Sequence, residues 1–355
     1  MQRRGRLFFW LLLAVGSAAG GYVWWDHARM AADESPNDDG GVQAADVAPV
    51  PATRIEARLN LELTAGDIFP LVKTVTESIA QKTKRGTVRS STELELTLAI
   101  RVQAVEGDRK RLRVDYRRVR YRQNMAGEKL DYDSDNPPRT LHVEVQPYHG
   151  LVGNGFDFWI GPDNRIQQIE NFDGFLRKCV AHVPARQRTA VMTRFFKTTG
   201  DDRVANFIDD SIGLLPYRKG AMRIGQTWDR PRQVARPVPL YLTQTCTLID
   251  LNDRFAEVGI VGDIVPSATV GPSNQPARGL QVIVTRGRTE GRCRIRRKTG
   301  LPEHSDIHRT YDMVVRYPDG RRFEQTKNVR TVIRVFTQQG APKTILSGTG
   351  RRRNR

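Results

Sequence analysis

Four side chains near the C-terminus, Glu303, His304, Asp306 and His308, are of the types that hold a transition metal. Two imidazoles and a carboxylate make most of a zinc shell, but the geometry of an extended chain works against one here. Residues i and i+4 of a strand lie ~13 Å apart, too far for His304 and His308 to share an ion. Asp131, Asp133 and Asp135, in DYDSDNPP, have the alternate spacing of a calcium loop. The rest of that pattern fails, because Asn136 stands where glycine makes the turn and the twelfth position is His142. These carboxylates read instead as an acidic hairpin end. His142 and His149 lack an acidic partner at a useful spacing, and Ser134 and Ser211 lack a predictable base. No nucleophile elbow, C-x-x-C pair, phosphate loop or dinucleotide fingerprint occurs. The residue types point away from an enzyme, and no cofactor is expected.

A denser signal is basic. Arg117, Arg118, Arg120 and Arg122 fall in one strand-like segment, and Arg286, Arg288, Arg292, Arg294, Arg296 and Arg297 in another. If the two segments are neighbours they form a basic sheet surface suited to polyanions. The plain alternative is a solvated strand face on which arginine discourages edge pairing. The chain of 355 residues carries a net charge of +18, which by itself suggests nucleic acid.

The N-terminus argues otherwise. Arg3, Arg4 and Arg6 precede an apolar run from Leu7 to Trp25, close to the ~20 residues that cross a hydrocarbon core. Acidic residues after it orient the N-terminus toward the cytoplasm, and Trp24 and Trp25 suit an interfacial belt. A cleaved signal peptide, cut near Ser17 and Ala19, is the rival reading; Tyr22–Trp25 prolong the apolar run and favour an uncleaved inner-membrane anchor. Residues 1–6 are then a cytoplasmic tip and 7–25 the anchor or signal. Residues 26–53 have almost no large apolar side chains and read as a disordered tether. The body, 54–338, faces the periplasm or is secreted, and 339–355 is a disordered basic tail. Expected partners are the membrane, a lipid-like ligand or an envelope polyanion, and not nucleic acid.

Within the body, apolar residues alternate at period two through IEARLNLELTAGD, SSTELELTLAIRVQAVEGD and RKRLRVDYRRVRYRQ, the pattern of strands with one wet face. Residues 68–83 also read as strand. In the third segment Leu112, Val114 and Tyr116 share a face while Val119 and Tyr121 are out of phase, so a β-bulge is expected near Arg117–Arg118. LHVEVQ, FDFWIG and RIQQIEN look like three short strands, the last two joined by a G-P-D-N turn. From Phe172 to Phe196 the spacing becomes helical, and a third helix is expected after Asp201 or Asp202. Ala205–Arg230 reads as a hinge, with Leu214, Leu215 and Trp228 as core residues where the two halves meet. Alternating strands then resume and end in a hairpin at Pro318–Gly320. Cys246 and Cys293 both lie in expected strands, so a bridge between them is open; Cys179 reads as a buried apolar residue. The fold class expected is α+β, mainly β. Two antiparallel meanders form a curved or incompletely closed barrel-like sheet, with helices inserted at about 172–215.

Several short patterns occur in order: Asp133–Ser134 after a tyrosine, Gly161 to Ile166, Leu214–Pro216, Gly225–Trp228, and the series Gly287, Gly291, Thr299, Gly300. Together they resemble an exported bacterial family of planctomycete type known only as a domain of unknown function, over residues 55–338. The resemblance implies no catalytic residue. Its strand–helix–strand order is similar at fold level to the curved sheets of periplasmic lipoprotein carriers. The functions expected are a binding or carrier module for an apolar, lipid-like ligand, or else a structural envelope protein that meets acidic polymers through its basic face.

Overall fold

Alternating apolar residues recur through the chain, and in the computed structural model nearly all of these segments become long strands. The structure describes residues 56–84, 86–125, 127–195, 215–216, 220–234, 240–266, 281–317, 319–341 and 345. The first half holds β1 (Glu56–Arg58), β2 (Ile68–Thr83), β3 (Gly86–Glu106), β4 (Arg109–Met125), β5 (Glu128–Asp133), β6 (Gly155–Ile160) and β7 (Ile166–Glu170). Three helices follow or interrupt them: α1 (Gln146–His149), α2 (Phe172–Cys179) and α3 (Ala185–Phe195). The second half holds β8 (Ala221–Arg223), β9 (Thr227–Val234), β10 (Leu240–Leu251), β11 (Phe255–Pro266), β12 (Gln281–Arg296), β13 (Pro302–Arg316) and β14 (Arg322–Val335).

Apart from β1 and β8, which pair with each other, the strands form one 12-stranded sheet in the order β7-β6-β4-β3-β2-β14-β13-β12-β11-β10-β9, with β5 also on β4. Every pairing is antiparallel. The two meanders therefore join through β2 and β14, and the sheet does not close, since β7 and β9 end the order. The edges are nevertheless tied together. Asn164, in the turn between β6 and β7, donates its side-chain amide to the Pro216 carbonyl at 3.0 Å. Arg230 of β9 donates to the neighbouring Leu215 carbonyl at 2.8 Å. One dipeptide thus receives a bond from each rim of the open sheet.

The inner face carries the core. Leu112, Val114, Tyr116, Val119 and Tyr121 of β4 are buried, and the phase change between Tyr116 and Val119 is a bulge: Thr97 pairs Arg118 while Leu98 pairs Tyr116, leaving Arg117 unopposed. Phe172, Phe175, Leu176 and Cys179 form the buried stripe of α2. The Phe175 ring stacks on Tyr116 at 6.0 Å and packs against Phe156 at 5.1 Å. Leu215, Met222 and Trp228 belong to the same cluster as the first-half residues Leu59 and Leu61. Of the hinge residues expected from sequence, Leu215 and Trp228 thus meet in the core, while Leu214 and the third helix lie outside the described residues. So do residues 1–55, with the Leu7–Trp25 stretch and the tether, and the residues beyond 341 except Ile345.

Two sequence expectations fail. LHVEVQ is not a strand: Leu141–Val145 turn into α1, with the Val145 amide bonded to the His142 carbonyl at 3.0 Å. Pro147 sits in the first turn of that helix, where its missing N–H costs nothing, whereas in a ladder it would leave a gap. The helix then ends at Gly150, where a Cβ would sit 1.7 Å from the Cys179 carbonyl oxygen, so only glycine lets α1 approach α2. The second failure is IEARLNLELTAGD, of which only Glu56–Arg58 is strand. Leu59, Leu61 and Leu63 are buried as the alternation requires, but this stretch runs over Gly300 without a ladder, bonded from the Glu62 amide to the Thr299 carbonyl and, at its end, through Gly66 and Asp67 to Val102. Period-two burial identifies an extended chain, not its partner.

Candidate binding site

On the outer face the arginines of the sequence signal are ion-paired. Arg118 and Arg120 both bond the Asp133 carboxylate, Arg120 also lies 3.6 Å from Glu95, and Arg122 lies 3.3 Å from Glu93. Burial pushes the Asp133 carboxyl up, but Arg118, the Asp135 amide and Arg120 outweigh it and hold it at about 2. Asp131 and Asp133 thus serve the arginine ladder of β4. Arg117, raised by the bulge, donates to the Ile345 carbonyl at 3.3 Å. On β12, Arg292 and Arg294 share Glu257, Arg296 faces Glu303 at 3.3 Å, and Arg288 faces Glu290 at 3.7 Å. Between β4 and β12 lie β3, β2, β14 and β13. At about 4.8 Å per strand the two arginine sets stand roughly 24 Å apart rather than side by side.

Glu303, His304, Asp306 and His308 all lie along β13, with Asp306 held by both terminal and inner nitrogens of Arg330. Among the described residues no three His, Cys, Asp or Glu side chains cluster as metal ligands do. Cys246 pairs with Ile260 on β11, and Cys293 with Val258 on the same strand, so a whole strand separates the two thiols. Their Cα atoms are about 10 Å apart by strand spacing, beyond the ~7 Å a disulfide tolerates, and none of the three cysteines is bridged.

The inner face holds what sequence reasoning missed. One cross-strand row reads Arg230 (β9), Gln244 (β10), Gly262 (β11), Thr289 (β12), Arg309 (β13), Val329 (β14) and Glu77 (β2). Gln244 is 1 % exposed and Thr289 0 %, yet neither amide atom of Gln244 nor the Thr289 hydroxyl has a hydrogen-bond partner among the described residues. Ser305, two inward rows away opposite Cys293, is equally buried, and its hydroxyl has no partner among the described residues. The row divides two apolar clusters. On one side lie Trp228, Cys246, Ile260 and Ile307 of the main core; on the other are Leu240, Leu242, Ile264, Val284, Tyr311 and Met313. Nearer the seam the polar inward residues satisfy one another: Lys327 pairs Glu77 at 2.9 Å, and Gln325 bonds Gln81 at 2.7 Å. The signal was present in LYLTQTCTL, where Gln244 interrupts the apolar phase of Leu240, Leu242, Cys246 and Leu248.

A second polar group joins three distant segments. The Tyr132 hydroxyl and His149 Nδ1 are 2.6 Å apart, and the His149 ring meets His182 edge to face at 5.2 Å. Burial, and then the neighbouring His182, lower the affinity of His149 for a proton. His182 is lowered by burial, partly offset by its bond to the Gln146 backbone. Among the described residues two clefts open at the surface. One, of about 430 Å³, lies between α2 and α3 beside Arg177 and Met192; the other, of about 490 Å³, lies beside Arg334 and Phe336. No helix among the described residues is long and apolar enough to cross a membrane.

No curated protein matches the sequence. Solved structures show partial likenesses. Lipovitellin, in a structure concerned with lipid–protein interactions, is similar at 12 % identity over 79 % of this chain, with a TM-score of 0.41. The match spans 26 % of lipovitellin, about a quarter of that chain. DynF from the dynemicin pathway of Micromonospora chersina aligns at 7 % identity over 86 % of this chain and 95 % of its own, with a TM-score of 0.20. A domain from Vibrio parahaemolyticus described as an outer membrane lipoprotein-sorting protein aligns at 7 % identity over 78 % and 89 %, with a TM-score of 0.13. All three scores fall below 0.5, and nothing of their function is carried over. The sequence model of one family matches residues 107–302, more than half of the chain, and the protein belongs to that family of unknown function, DUF6263.

Proposed function

We propose that this protein is a non-enzymatic binding module that holds an amphipathic, lipid-like ligand against the inner face of its sheet, on the outer side of a membrane to which Leu7–Trp25 tethers it. The observation that carries this reading is the buried row of Gln244 and Thr289, set between two apolar clusters. Leaving a buried donor or acceptor without a partner costs about 1–3 kcal/mol. A stretch of sheet serving only as core would be more stable with leucine and valine there. A ligand with a polar group and an apolar chain uses both features: the Gln244 amide and the Thr289 hydroxyl bond the polar group, and the chain lies on Leu242, Ile264 and Met313. The rival reading, broad adhesion to acidic envelope polymers, loses ground because the arginines of β4 and β12 are separated and largely paired.

Native mass spectrometry of the full chain, purified in a mild detergent, tests the proposal. The expected result is a bound amphiphile on the natural protein and its loss from the Gln244→Leu/Thr289→Val double variant, with far-UV circular dichroism unchanged. A natural protein that carries no amphiphile and takes up no fluorescent fatty-acid probe saturably would refute it.

A further inference from the structure

We propose that the polar group of the ligand is a carboxylate, held by the buried cross-strand row of the inner face; this rests on the amphiphile reading and narrows it. The row runs Arg230, Gln244, Gly262, Thr289, Arg309, so a guanidinium stands directly opposite each unsatisfied neutral side chain: Arg230 opposite Gln244, and Arg309 opposite Thr289. Five of the eleven buried side-chain atoms without a hydrogen-bond partner among the described residues fall in this one row: Arg230 Nε, Gln244 Nε2 and Oε1, Thr289 Oγ1 and Arg309 Nε. Both arginines have other contacts, and Arg230 donates through Nη1 to the Leu215 carbonyl at 2.8 Å. It is the Nε–H of each that has no acceptor among the described residues.

The kind of bond left unmade decides the headgroup. A guanidinium and an amide nitrogen only donate, an amide oxygen only accepts, and a hydroxyl does either. The row therefore offers three donor-only atoms, the two arginine Nε and Gln244 Nε2, against one acceptor-only atom, Gln244 Oε1. Because both ends of the Gln244 amide are unsatisfied, the balance does not depend on which way that amide is turned. An alcohol or amine head would bring further donors to a place already rich in them, whereas an ionised carboxylate only accepts. Charge points the same way. Arg230 is 4 % exposed, and a guanidinium withdrawn from water is stabilised by an anion. The carboxylate in line with the row, Glu77, lies 2.9 Å from Lys327. Thr289 and Arg309 are direct cross-strand partners, with Cβ atoms ~5 Å apart, so one carboxylate can take the hydroxyl and the Nε–H together. Arg230, tied to Leu215 at the rim, adds its charge from the other end of the row.

Native mass spectrometry of the full chain in mild detergent at about pH 8, where a fatty acid is ionised, separates head from chain when palmitic acid and 1-hexadecanol are offered in equal amounts. The natural protein should carry the acid over the alcohol by about tenfold or more. Arg309→Gln should cut that ratio to about threefold or less while still taking up hexadecanol, which shows the variant folded; Arg309→Lys, which keeps the charge, should retain part of the preference. Arg334→Gln, at an exposed arginine of the outer face, should leave the ratio within about twofold. Equal uptake of acid and alcohol by the natural protein would overturn the carboxylate assignment and leave the amphiphile reading standing, and saturable uptake of neither would remove both. A preference that survives in Arg309→Gln, or falls equally in Arg334→Gln, would put the anion somewhere other than this row and overturn the assignment.

Discussion

From Leu112 to Tyr121 the inward positions of β4 are all apolar, and α2 lays Phe172, Phe175 and Leu176 over them. In β10, β12 and β13 the inward series is broken at Gln244, Thr289 and Ser305. The outer faces differ in the opposite sense. Arg118, Arg120 and Arg122 are matched by Asp133 and Asp131 of β5 and, for the last two, by Glu95 and Glu93 of β3, while Arg334 has no carboxylate partner among the described residues. Among the described residues, buried polar atoms without a partner occur in both halves, at Arg111, Gln123 and Asp157 in the first and at Gln244, Thr289 and Ser305 in the second, where Gln244 and Thr289 share one cross-strand row. Residues kept at a cost to stability are where a protein is shaped by something other than folding. On the proposed reading, recognition falls in the second meander, where Gln244 and Thr289 stand in one buried row.

The largest effect is expected where the two regions share a core. Trp228→Ala removes an indole 8 % exposed, packed in the cluster that also contains Leu59, Leu61 and Phe175. It should lower stability by about 3–5 kcal/mol in urea unfolding, in a single transition. Two transitions, with only one displaced, would split the halves into independent units and end the comparison as drawn. A smaller effect, of opposite sign, is expected at Thr289. In ligand-free protein Thr289→Val should raise stability by about 1 kcal/mol, because it replaces an unsatisfied buried hydroxyl with a methyl group of like shape. A loss of stability at Thr289 would mean its hydroxyl is satisfied after all.

The smallest effect concerns the histidines of the first meander. His149 and His182 bind protons less readily folded than unfolded, so the unfolded chain takes up more protons as pH falls below their ordinary 6.5. Their contribution to stability is full above 6.5 and is lost as pH falls through the lowered values. Asp133, held at about 2 against an ordinary 3.8, keeps its contribution down to pH 4 and loses it only between there and 2. Urea midpoints should therefore decline gently from pH 7 to 5, and His149→Gln should flatten that slope while leaving the acid limb below pH 4 unchanged. An unaltered slope would place the titrating groups elsewhere.

How much of this was legible in the residues varies with range. The bulge at Arg117 was, because a phase change in apolar alternation is local. So were α2 and the turn at Asn164, each set by neighbours a few positions away. The strand at LHVEVQ was misread because alternation over five residues outweighed Pro147. The arginine pairing could not be read, since it depends on strand order: Arg120 meets Asp133 through β5 and Glu95 through β3. The Tyr132–His149–His182 group draws on three segments that only tertiary packing brings together. Gln244 was legible as an interruption, but its meaning needed Thr289, which no spacing along the chain relates to it.

The seam between β2 and β14 has a consequence for how the molecule is made. Gln81 and Gln325, bonded side chain to side chain there, are 244 positions apart. On a ribosome β2 emerges early and can pair with β3 at once, but its other edge stays open until nearly the whole body has been synthesised. For that interval the centre of the finished sheet is an exposed strand edge, the kind of surface that recruits other chains. Lys73, Glu77 and Lys82, spaced along β2, put charge on that waiting edge.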